Sequence, residues 1–420
     1  MKLLESVRDF CAAHAKNHIY IALSGGLDSR VLLDLCRQIS MQSSIQFHVI
    51  HIHHGLSVNA EAWVECCREW TEAARFVFHM RTVNINLKDG GSLEEEARNQ
   101  RYTAFAEIMQ QDDLLLTAHH QDDQAETVLL QLLRGAGPKG LAAMPSCKQF
   151  ANGWHGRPLL QFSRQELREY AVSHDLKWIE DESNFNLALT RNFIRHEVLS
   201  LLKSRWPNIE NTLTRSAQHC AEAQGLLEET AREKLPLASG SQPDTLSAAK
   251  LNHFNPSWQR LLLRVWIEDC GFRLPDANKI YSIQESVLAS AWDRTPCVSW
   301  EGAEVRRHRD DIYIISPSPE NDIQGNWEWD MAQPLNLPCG RVLTAEMMNG
   351  CGLHADIGNL SVRYRIQGET VTIGSRGRVS LKNLLQEWRV PVWERGRLPL
   401  VFAGEKLVMV PGYYVEGVLN

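Results

Sequence analysis

The chain has 420 residues, more than one compact domain usually takes, so two or three domains are expected. Hydrophobic residues make up 44% and charged residues 23%, as in ordinary globular proteins, and the net charge of −7 excludes a molecule that is polycationic as a whole. The amino terminus lacks a signal-peptide core, and no apolar run approaches the roughly 20 residues of a membrane span. The ten cysteines form no C-x-x-C pair. We therefore expect a cytoplasmic protein with free thiols and no membrane contact.

Strand and helix patterns alternate over the first two hundred residues. The predicted strands are Ile19–Leu23, Ile45–Ile52, Phe76–Ile85 and Leu114–Ala118. The predicted helices are Arg30–Cys36, Ala60–Ala74, Ser92–Gln110, about Asp122–Leu133 and Ser163–His174, with capping-box patterns at Ser92 with Glu95 and at Ser163 with Glu166. This alternation predicts a doubly wound parallel sheet with helices on both faces. In such sheets, ligands bind beyond the carboxyl ends of the strands.

The pattern changes after Trp206. Helices are predicted at Ile209–Leu235, Pro256–Gly271 and Ala277–Ala291, and residues 316–334 have the composition of a linker. The last 85 or so residues show short alternating runs and one helix near Leu381–Trp388, which indicates an α+β region. We therefore predict an α/β catalytic domain at 1–205, a mostly helical middle domain at 206–315 and a small α+β domain at 335–420.

The sharpest feature is the segment Ser24–Ser29 (SGGLDS), between an apolar strand and a predicted helix. Its two glycines allow a tight turn that approaches an anion closely, and the N–H groups at a helix start favour phosphate. Asp28 would repel phosphate, so it indicates a bridging Mg²⁺ ion; a simple helix cap is the alternative. The segment predicts a phosphate loop that differs from the G-x-x-x-x-G-K-[ST] type, which the chain lacks.

Carboxylates cluster after the strand Leu114–Ala118. Glu126 lies four residues after Asp122 and three after Asp123, so it can share a helix face with either. Such a cluster suits Mg²⁺ beside a triphosphate, and acidic decoration of a helix start is the alternative. The phosphate loop upstream in the same sheet favours a metal site, and its predicted ligands are Asp28, Asp123 and Glu126.

Arg191 and Arg195 are four residues apart and are predicted to project from one helix face. Two guanidinium groups suit phosphate or a developing transition-state charge, and pairing with the acidic residues at 180–182 is the alternative. Histidines at 51, 53, 54, 119 and 120 do not favour zinc, because the chain has no H-E-x-x-H and no paired-cysteine spacing. Contacts to phosphate, base or tRNA, or ordinary packing, are the preferred roles of these histidines.

Residues 361–397 form a basic segment, with seven Arg and Lys382 against three Glu, a net charge of +5. A solvated basic face and contact with nucleic acid are both compatible with this composition.

SGGLDS matches the PP-loop motif SGGxDS of ATP pyrophosphatases, which cleave ATP between the α and β phosphates. The chain further resembles the tRNA(Ile)-lysidine synthetase family through HIHHGLS (51–57), SLEEEARNQRY (92–102), TAHHQDDQAET (117–127), RGAGPKGL (134–141), RPLL (157–160), EDESN with RNFIR (180–195) and GRVSLKNLLQEWRVPVWERGRLPLVF (377–402). The resemblance is dense in the catalytic half and in the final segment. The middle region matches only in its helical character.

The resemblance implies a Rossmann-like PP-loop domain that uses ATP and Mg²⁺. The implied reaction adenylates the C2 oxygen of the wobble cytidine in the CAU anticodon of a minor isoleucine tRNA, and free L-lysine then displaces AMP to give lysidine. The sequence does not determine the oligomeric state, and a homodimer is one alternative. The implied ATP-binding residues are Ser24, Gly25, Gly26, Leu27, Asp28 and Ser29, and the implied catalytic residues are Asp28, Asp123, Glu126, Arg191 and Arg195. The implied tRNA-binding residues are Arg376, Arg378, Lys382, Arg389, Arg395 and Arg397. The candidates for the lysine pocket are Glu95, Glu96, Arg98 and Arg101.

Three other functions compete. A PP-loop tRNA thiolase needs catalytic or cluster-binding cysteines, and the chain has only the adjacent pair Cys66 and Cys67. An amidotransferase-type synthetase acting on a small metabolite leaves the basic carboxyl-terminal segment unexplained. A tRNA-binding scaffold without catalysis is disfavoured by the intact carboxylates Asp28, Asp123 and Glu126.

Overall fold

The computed structural model describes residues 2–43, 45–53, 55, 59–83, 93–291, 294–317, 325–338, 340–350, 360–366, 368–373 and 377–415. The chain forms two compact units, Met1–Leu227 and Glu228–Asn420. The capping box predicted at Ser92 lies outside the described residues.

The strands of the first unit are β1 (Ile19–Ala22), β2 (Phe47–His53), β3 (Val77–Thr82), β4 (Leu114–Leu116), β5 (Cys147–Phe150) and β6 (Gly153–Gly156). Its helices are α1 (Lys2–His14), α2 (Leu27–Ser40), α3 (Ala60–Ala73), α4 (Leu93–Ile108), α5 (Gln121–Leu133), α6 (Pro138–Leu141), α7 (Arg164–Ser173), α8 (Thr190–Phe193) and α9 (Leu199–Arg205), and α10 (Ile209–Lys234) follows. The predicted strands and helices are confirmed with small shifts of their ends. The capping box at Ser163 is confirmed as well, since its hydroxyl accepts from the Glu166 N–H.

The six strands form one sheet in the order β3-β2-β1-β4-β6-β5. All neighbours are parallel except the edge pair β5 and β6, which the sequence analysis did not predict. The chain moves outward from β1 to β2 and β3, and then returns to place β4 on the other side of β1. This reversal opens a crevice beyond the carboxyl ends of β1 and β4, where ligands bind in sheets of this kind.

Alternate residues of β1 pack on opposite faces of the sheet. Ile19 and Ile21 join a core with residues of α1, α2, α3 and α7, whereas Tyr20 packs in a separate cluster with Phe105 of α4. The period of two in the strand thus buries both faces, as a doubly wound sheet requires. Burial raises the pKa of the Cys11 and Cys67 thiols to about 12, so both behave as small core residues rather than nucleophiles.

The second unit combines short helices with antiparallel sheets. Its helices are α11 (Ala248–Leu251), α12 (Pro256–Asp269), α13 (Ala277–Ser282), α14 (Ala345–Gly350), α15 (Leu381–Glu387) and α16 (Val392–Arg395). Its strands are β7 (Leu246–Ser247), β8 (Cys297–Trp300), β9 (Ala303–His308), β10 (Asp311–Ile315), β11 (Asn326–Trp329), β12 (Leu335–Asn336), β13 (Val342–Leu343), β14 (Leu360–Tyr364), β15 (Thr370–Ile373), β16 (Gly377–Ser380), β17 (Pro399–Ala403), β18 (Lys406–Val410) and β19 (Tyr414–Val415).

The middle region is mostly helical, as predicted, but two features of this unit were not predicted. The middle region contains a four-stranded sheet, β7-β10-β9-β8, beside its helices. The strand β9 was not predicted because its charged residues suggested an exposed segment. Arg307 of β9 is in fact buried, and it donates to the carbonyl oxygens of Val287, Leu288 and Ser290. The predicted linker 316–334 also contains β11, which pairs with β14 in the sheet β11-β14-β17-β18-β19.

Candidate active site

The phosphate loop joins β1 to α2. The Ser29 hydroxyl donates to the Gly26 carbonyl oxygen at 3.0 Å, and the Ser24 and Ser29 hydroxyl oxygens are 3.1 Å apart. Gly26 occupies the position before α2, and no side chain caps the helix there. The first amides of α2 are therefore open to an anionic ligand at the point where the helix dipole favours one.

The two glycines of this loop have different roles. Gly25 has φ +91°, and a Cβ atom there would lie 2.6 Å from Cδ1 of Ile179. Its carbonyl oxygen also accepts from the Ile179 N–H at 2.9 Å, so Gly25 holds the loop against the segment after α7. Gly26 has φ −69°, and a Cβ atom there would meet nothing closer than the Ser24 Oγ atom at 3.6 Å. The fold therefore does not require glycine at position 26, and the open space there is available to a ligand.

His120 lies among three aspartates at the carboxyl end of β4. Its Nε2 atom is 3.6 Å from Asp28 Oδ2 and 3.4 Å from Asp123 Oδ2, and its Nδ1 atom is 3.6 Å from Asp122 Oδ2. Burial alone favours the neutral ring, but the Asp123 carboxylate and then the other two outweigh it and raise the pKa of His120 to about 10. The protonated ring thus links the carboxylate of the phosphate loop to those that follow β4.

Asp28 has one carboxylate oxygen to spare. Oδ2 faces His120, whereas Oδ1 is buried and has no hydrogen-bond partner among the described residues. A buried carboxylate oxygen without a donor is costly, and a divalent cation would satisfy it. In the described part of the chain, no group of three or more His, Cys, Asp or Glu could hold a metal ion alone. Asp28 therefore fits a Mg²⁺ ion as one ligand, and phosphate oxygens and water would have to supply the others.

Glu126 is fully buried on α5 and receives both predicted arginines. Its Oε2 atom accepts from Arg191 Nε at 2.7 Å, and its Oε1 atom accepts from Arg195 Nε at 2.5 Å. The Nη2 atoms of both arginines lie 3.3 and 3.1 Å from Asp123 Oδ1. The partners of the arginines are therefore Asp123 and Glu126 and not the acidic residues at 180–182. The metal role of Asp123 and Glu126 stays a prediction, since arginines match their charges in this arrangement.

The segment before α9 holds the arginines in place. Asp181 accepts from the Ser183 N–H at 2.8 Å, and the Asn192 side-chain amide donates to the carbonyl oxygens of Ser183 and Asn186 at 2.9 and 3.0 Å. The helix widens into a π turn at Ile194–Val198, and π turns often occur at functional sites.

A chain of hydrogen bonds lies beside the site. Arg157 can only donate, so His155 accepts at Nδ1 (3.1 Å) and donates from Nε2 to the Thr117 hydroxyl (2.8 Å), which in turn donates to His119 Nδ1 (2.8 Å). Burial lowers the pKa of His119 to about 3 and that of His155 to about 2, so both rings are neutral at neutral pH. Of these adjacent histidines, His119 is thus neutral and His120 is positively charged. The sequence did not decide between ligand contact and ordinary packing for either histidine, and neither is among the predicted catalytic residues.

The resemblance-based candidates for the lysine pocket are only partly described. The Glu95 side chain lies outside the described residues, and Glu96 accepts from the Gln100 amide at 2.8 Å. The Arg98 guanidinium packs 5.1 Å from the centre of the Tyr102 ring, which lies 5.5 Å from the His155 ring. Arg98 therefore lies near the hydrogen-bond chain. Arg101 is on the same helix, α4, and its part in the pocket stays a prediction.

The predicted tRNA-binding residues lie in the second unit. Arg376 is outside the described residues. Arg378 donates to the Thr370 hydroxyl at 2.6 Å, and Lys382 is exposed on α15. Arg389 is exposed with φ +60°, and Arg395 donates to the Val390 carbonyl oxygen. Burial and then the cations Arg365 and Arg309 lower the pKa of Arg395, which indicates a locally crowded positive surface. Arg397 follows α16 and is only partly exposed.

No helix in the described part of the chain is both long and apolar enough to cross a membrane.

Comparison with known proteins gives three matching family models. Residues 1–202 match a PP-loop domain, residues 246–313 a TilS substrate binding domain and residues 360–418 a TilS substrate C-terminal domain. The chain is 38% identical to the tRNA(Ile)-lysidine synthase of Coxiella burnetii, over 96% of this chain and 90% of that protein. It is 40% identical to that of Methylococcus capsulatus (95% and 92%) and 39% identical to that of Photobacterium profundum (95% and 92%). The chain therefore belongs to the tRNA(Ile)-lysidine synthase family of PP-loop enzymes.

Proposed function

We propose that the protein is an ATP-dependent ligase that joins free lysine to the wobble cytidine of the isoleucine tRNA with a CAU anticodon. The observation that carries this proposal is the meeting of Asp28 with the cluster of Asp123, Glu126, Arg191 and Arg195 at one sheet edge. Open helix amides, a spare carboxylate oxygen and two guanidinium groups at that edge suit the triphosphate of ATP.

In the first step, the C2 oxygen of the cytidine attacks the α phosphorus of ATP, and pyrophosphate leaves. The amides that begin α2 bind phosphate oxygens. The side chains of Arg191 and Arg195 are 24% and 23% exposed, and their guanidinium groups stabilise the charge that develops on the leaving group. Bound Mg²⁺, held by Asp28, would neutralise phosphate charge.

In the second step, the ε-amine of lysine attacks C2 and AMP leaves. A lysine ammonium has an ordinary pKa near ~10.4, so it must lose a proton before it can attack. Asp28, whose Oδ1 atom has no hydrogen-bond partner among the described residues, is the candidate acceptor of that proton, because the Asp123 oxygens already accept from Arg191, Arg195 and the His120 N–H. Arg191 and Arg195 already hold both Glu126 oxygens, so Glu126 positions the arginines and is a poorer acceptor.

Recognition of the tRNA requires contacts away from the anticodon, because methionine tRNAs also carry CAU. The exposed cations Arg378, Lys382 and Arg389 of the second unit are suited to phosphate contact. We assign them, with Arg376, Arg395 and Arg397, to binding of the tRNA backbone. The cytoplasmic location and a homodimer stay predictions.

The test is incubation of the protein with ATP, Mg²⁺ and radiolabelled lysine, with the CAU-anticodon isoleucine tRNA or elongator methionine tRNA. We expect lysine to enter only the isoleucine tRNA, with release of AMP and pyrophosphate. Pyrophosphate release on a different acceptor, without lysine in the tRNA, would retain the adenylating chemistry and overturn the proposed substrate.

A further inference from the structure

A cavity opens beside the catalytic cluster in the first unit. It has a volume of about 450 Å³, within the range of roughly 300–1,000 Å³ of small-ligand sites. Leu27 of the phosphate loop, Glu126 and Arg195 form part of its wall. A group bound in this cavity therefore lies next to the reacting centre.

The wall of this cavity includes a solvent-exposed aromatic side chain. Phe185 lines it and is 71% exposed. The ring stacks on His196 at 5.8 Å with an interplanar angle of 27°, and His196 Nε2 is bonded to the Asn184 carbonyl oxygen at 2.9 Å. The hydrogen bonds of Asn192 to the carbonyls of the same loop hold it further. The exposed face of Phe185 is therefore preformed, and the described residues leave it uncovered.

Cations without acidic partners line the same cavity. Arg164 and Arg168 are exposed on α7, and neither side chain forms an ion pair within the described ranges. Trp178 adds a second aromatic side chain to the wall. Aromatic faces combined with unpaired cations characterise sites for unstacked bases and their phosphates.

We propose that Phe185 stacks on the base adjacent to the modified cytidine, and that Arg164 and Arg168 bind the neighbouring phosphate. The inference rests on the proposed function, since it takes the substrate to be the anticodon loop. When the cytidine leaves its stack to reach the site, the next base loses a stacking partner. Phe185 replaces that partner and so positions the cytidine beside Arg195.

The test uses full-length tRNA in which 2-aminopurine replaces the adenine of CAU. Its fluorescence falls when the base stacks. Fluorescence titration and lysine incorporation are measured for the wild type, Phe185→Ala and Phe185→Trp. Phe193→Ala is the matched control, because Phe193 is 47% exposed on the next helix and does not line the cavity. Thermal unfolding and binding of a non-hydrolysable ATP analogue are measured on every variant.

We expect Phe185→Ala to abolish the quenching and to raise the KM for tRNA about 5- to 150-fold, the range for loss of one stacked base. Phe185→Trp restores both, and ATP-analogue binding stays unchanged. If the wild type is active and Phe185→Ala shows the same quenching and the same KM for tRNA as Phe193→Ala, the proposed function still stands, but the stacking role of Phe185 is wrong. Loss of ATP-analogue binding in Phe185→Ala also overturns it and assigns the ring to the nucleotide. A wild type that incorporates no lysine contradicts the proposed function instead.

The cations have their own readout. Arg168→Ala is expected to reduce the slope of log KM for tRNA against log salt by about 0.7, the value for one single-strand phosphate contact. Arg215→Ala, an exposed arginine of α10 outside this cavity, is the control. Equal slopes for the two variants contradict the phosphate contact.

Discussion

Both site arginines form ion pairs with Glu126, and neutralising this carboxylate removes negative charge that compensates the two guanidinium groups. We expect Glu126→Gln to destabilise the protein by about 3–5 kcal/mol, as for other broken buried ion pairs, and to lower lysine incorporation as well. Urea unfolding followed by circular dichroism measures the first effect. Glu304→Gln, which affects a carboxylate paired with the single arginine Arg306, is the control and should cost less. Equal losses would show that the convergence at Glu126 has no special weight.

Asp28 carries the spare oxygen, so its loss should affect chemistry more than folding. Asp28→Ala is expected to lower pyrophosphate release by at least about 100-fold while tRNA affinity stays unchanged. Asp122→Asn is the comparison, because the Asp122 carboxylate accepts from the Arg164 N–H and faces Lys203 within the fold. Turnover of Asp28→Ala at the rate of Asp122→Asn would remove the metal role from Asp28.

Individual site residues were predictable where local spacing carried the information. The i,i+4 spacing of Arg191 and Arg195 and the motif at 24–29 identified side chains that the fold brings to one edge. His120 was not predictable as a cation, because its pKa depends on how closely the fold brings Asp123, Asp122 and the sequence-distant Asp28 to its buried ring. Phe185 was missed because an isolated aromatic residue in a loop has no pattern that distinguishes an exposed ring from a buried one.

At the scale of elements, the two glycines of the phosphate loop are expected to have different roles, Gly25 in stability and Gly26 in ATP binding. Gly25→Ala is expected to cost about 1–3 kcal/mol of stability, since its φ of +91° and the contact with Ile179 both disfavour a Cβ atom. Gly26→Ala should leave the unfolding free energy within about 1 kcal/mol of the wild type, but weaken ATP binding because its methyl group stands at the open start of α2. Chemical denaturation and ATP titration of both variants check this. Similar stability of the two variants would contradict the distinction.

The hydrogen-bond chain that joins β4 and β6 should make stability depend on pH. The pKa of His155 falls from an ordinary value near ~6.5 to about 2, so its contribution is complete above pH ~6.5 and is lost as the pH falls towards 2. Between pH 6.5 and 5, the wild type should lose about 1–2 kcal/mol more unfolding free energy than His155→Gln. His174→Gln, at an exposed position, is the control and should follow the wild type. Parallel pH profiles of wild type and His155→Gln would refute this.

Elements were predictable where their burial was uniform. β1 and β4 are continuous apolar runs, and the helices predicted at Ser92–Gln110 and Ser163–His174 begin with capping-box patterns, so the alternation was visible. The strands β5, β9 and β11 were not visible, because they lie at sheet edges or hold charged side chains whose partners are distant in sequence. Arg307 is an example: its burial depends on the carbonyl groups at 287–290.

At the scale of the whole molecule, the position of β11 determines how the second unit can be tested. Asn326–Trp329 pairs with β14, so a truncation near residue 330 would leave a strand without its sheet and confuse unfolding with loss of tRNA contacts. Surface substitutions avoid this difficulty. Arg378 and Lys382 are exposed, and neither takes part in a core cluster.

We expect the double variant Arg378→Ala, Lys382→Ala to bind tRNA more weakly and to reduce the slope of log affinity against log salt by about 1.8, the value for two duplex phosphate contacts. ATP binding should stay at the wild-type level, because the substituted side chains belong to the second unit and the phosphate loop to the first. Binding titrations with isoleucine tRNA between 50 and 200 mM salt, roughly the range over which such contacts are screened, measure the slope. The control is Arg232→Ala with Arg273→Ala, two exposed arginines paired with Asp269 and Glu301. If both double variants lower the slope equally, the effect belongs to net charge, and the carboxyl-terminal cations lose their assigned role.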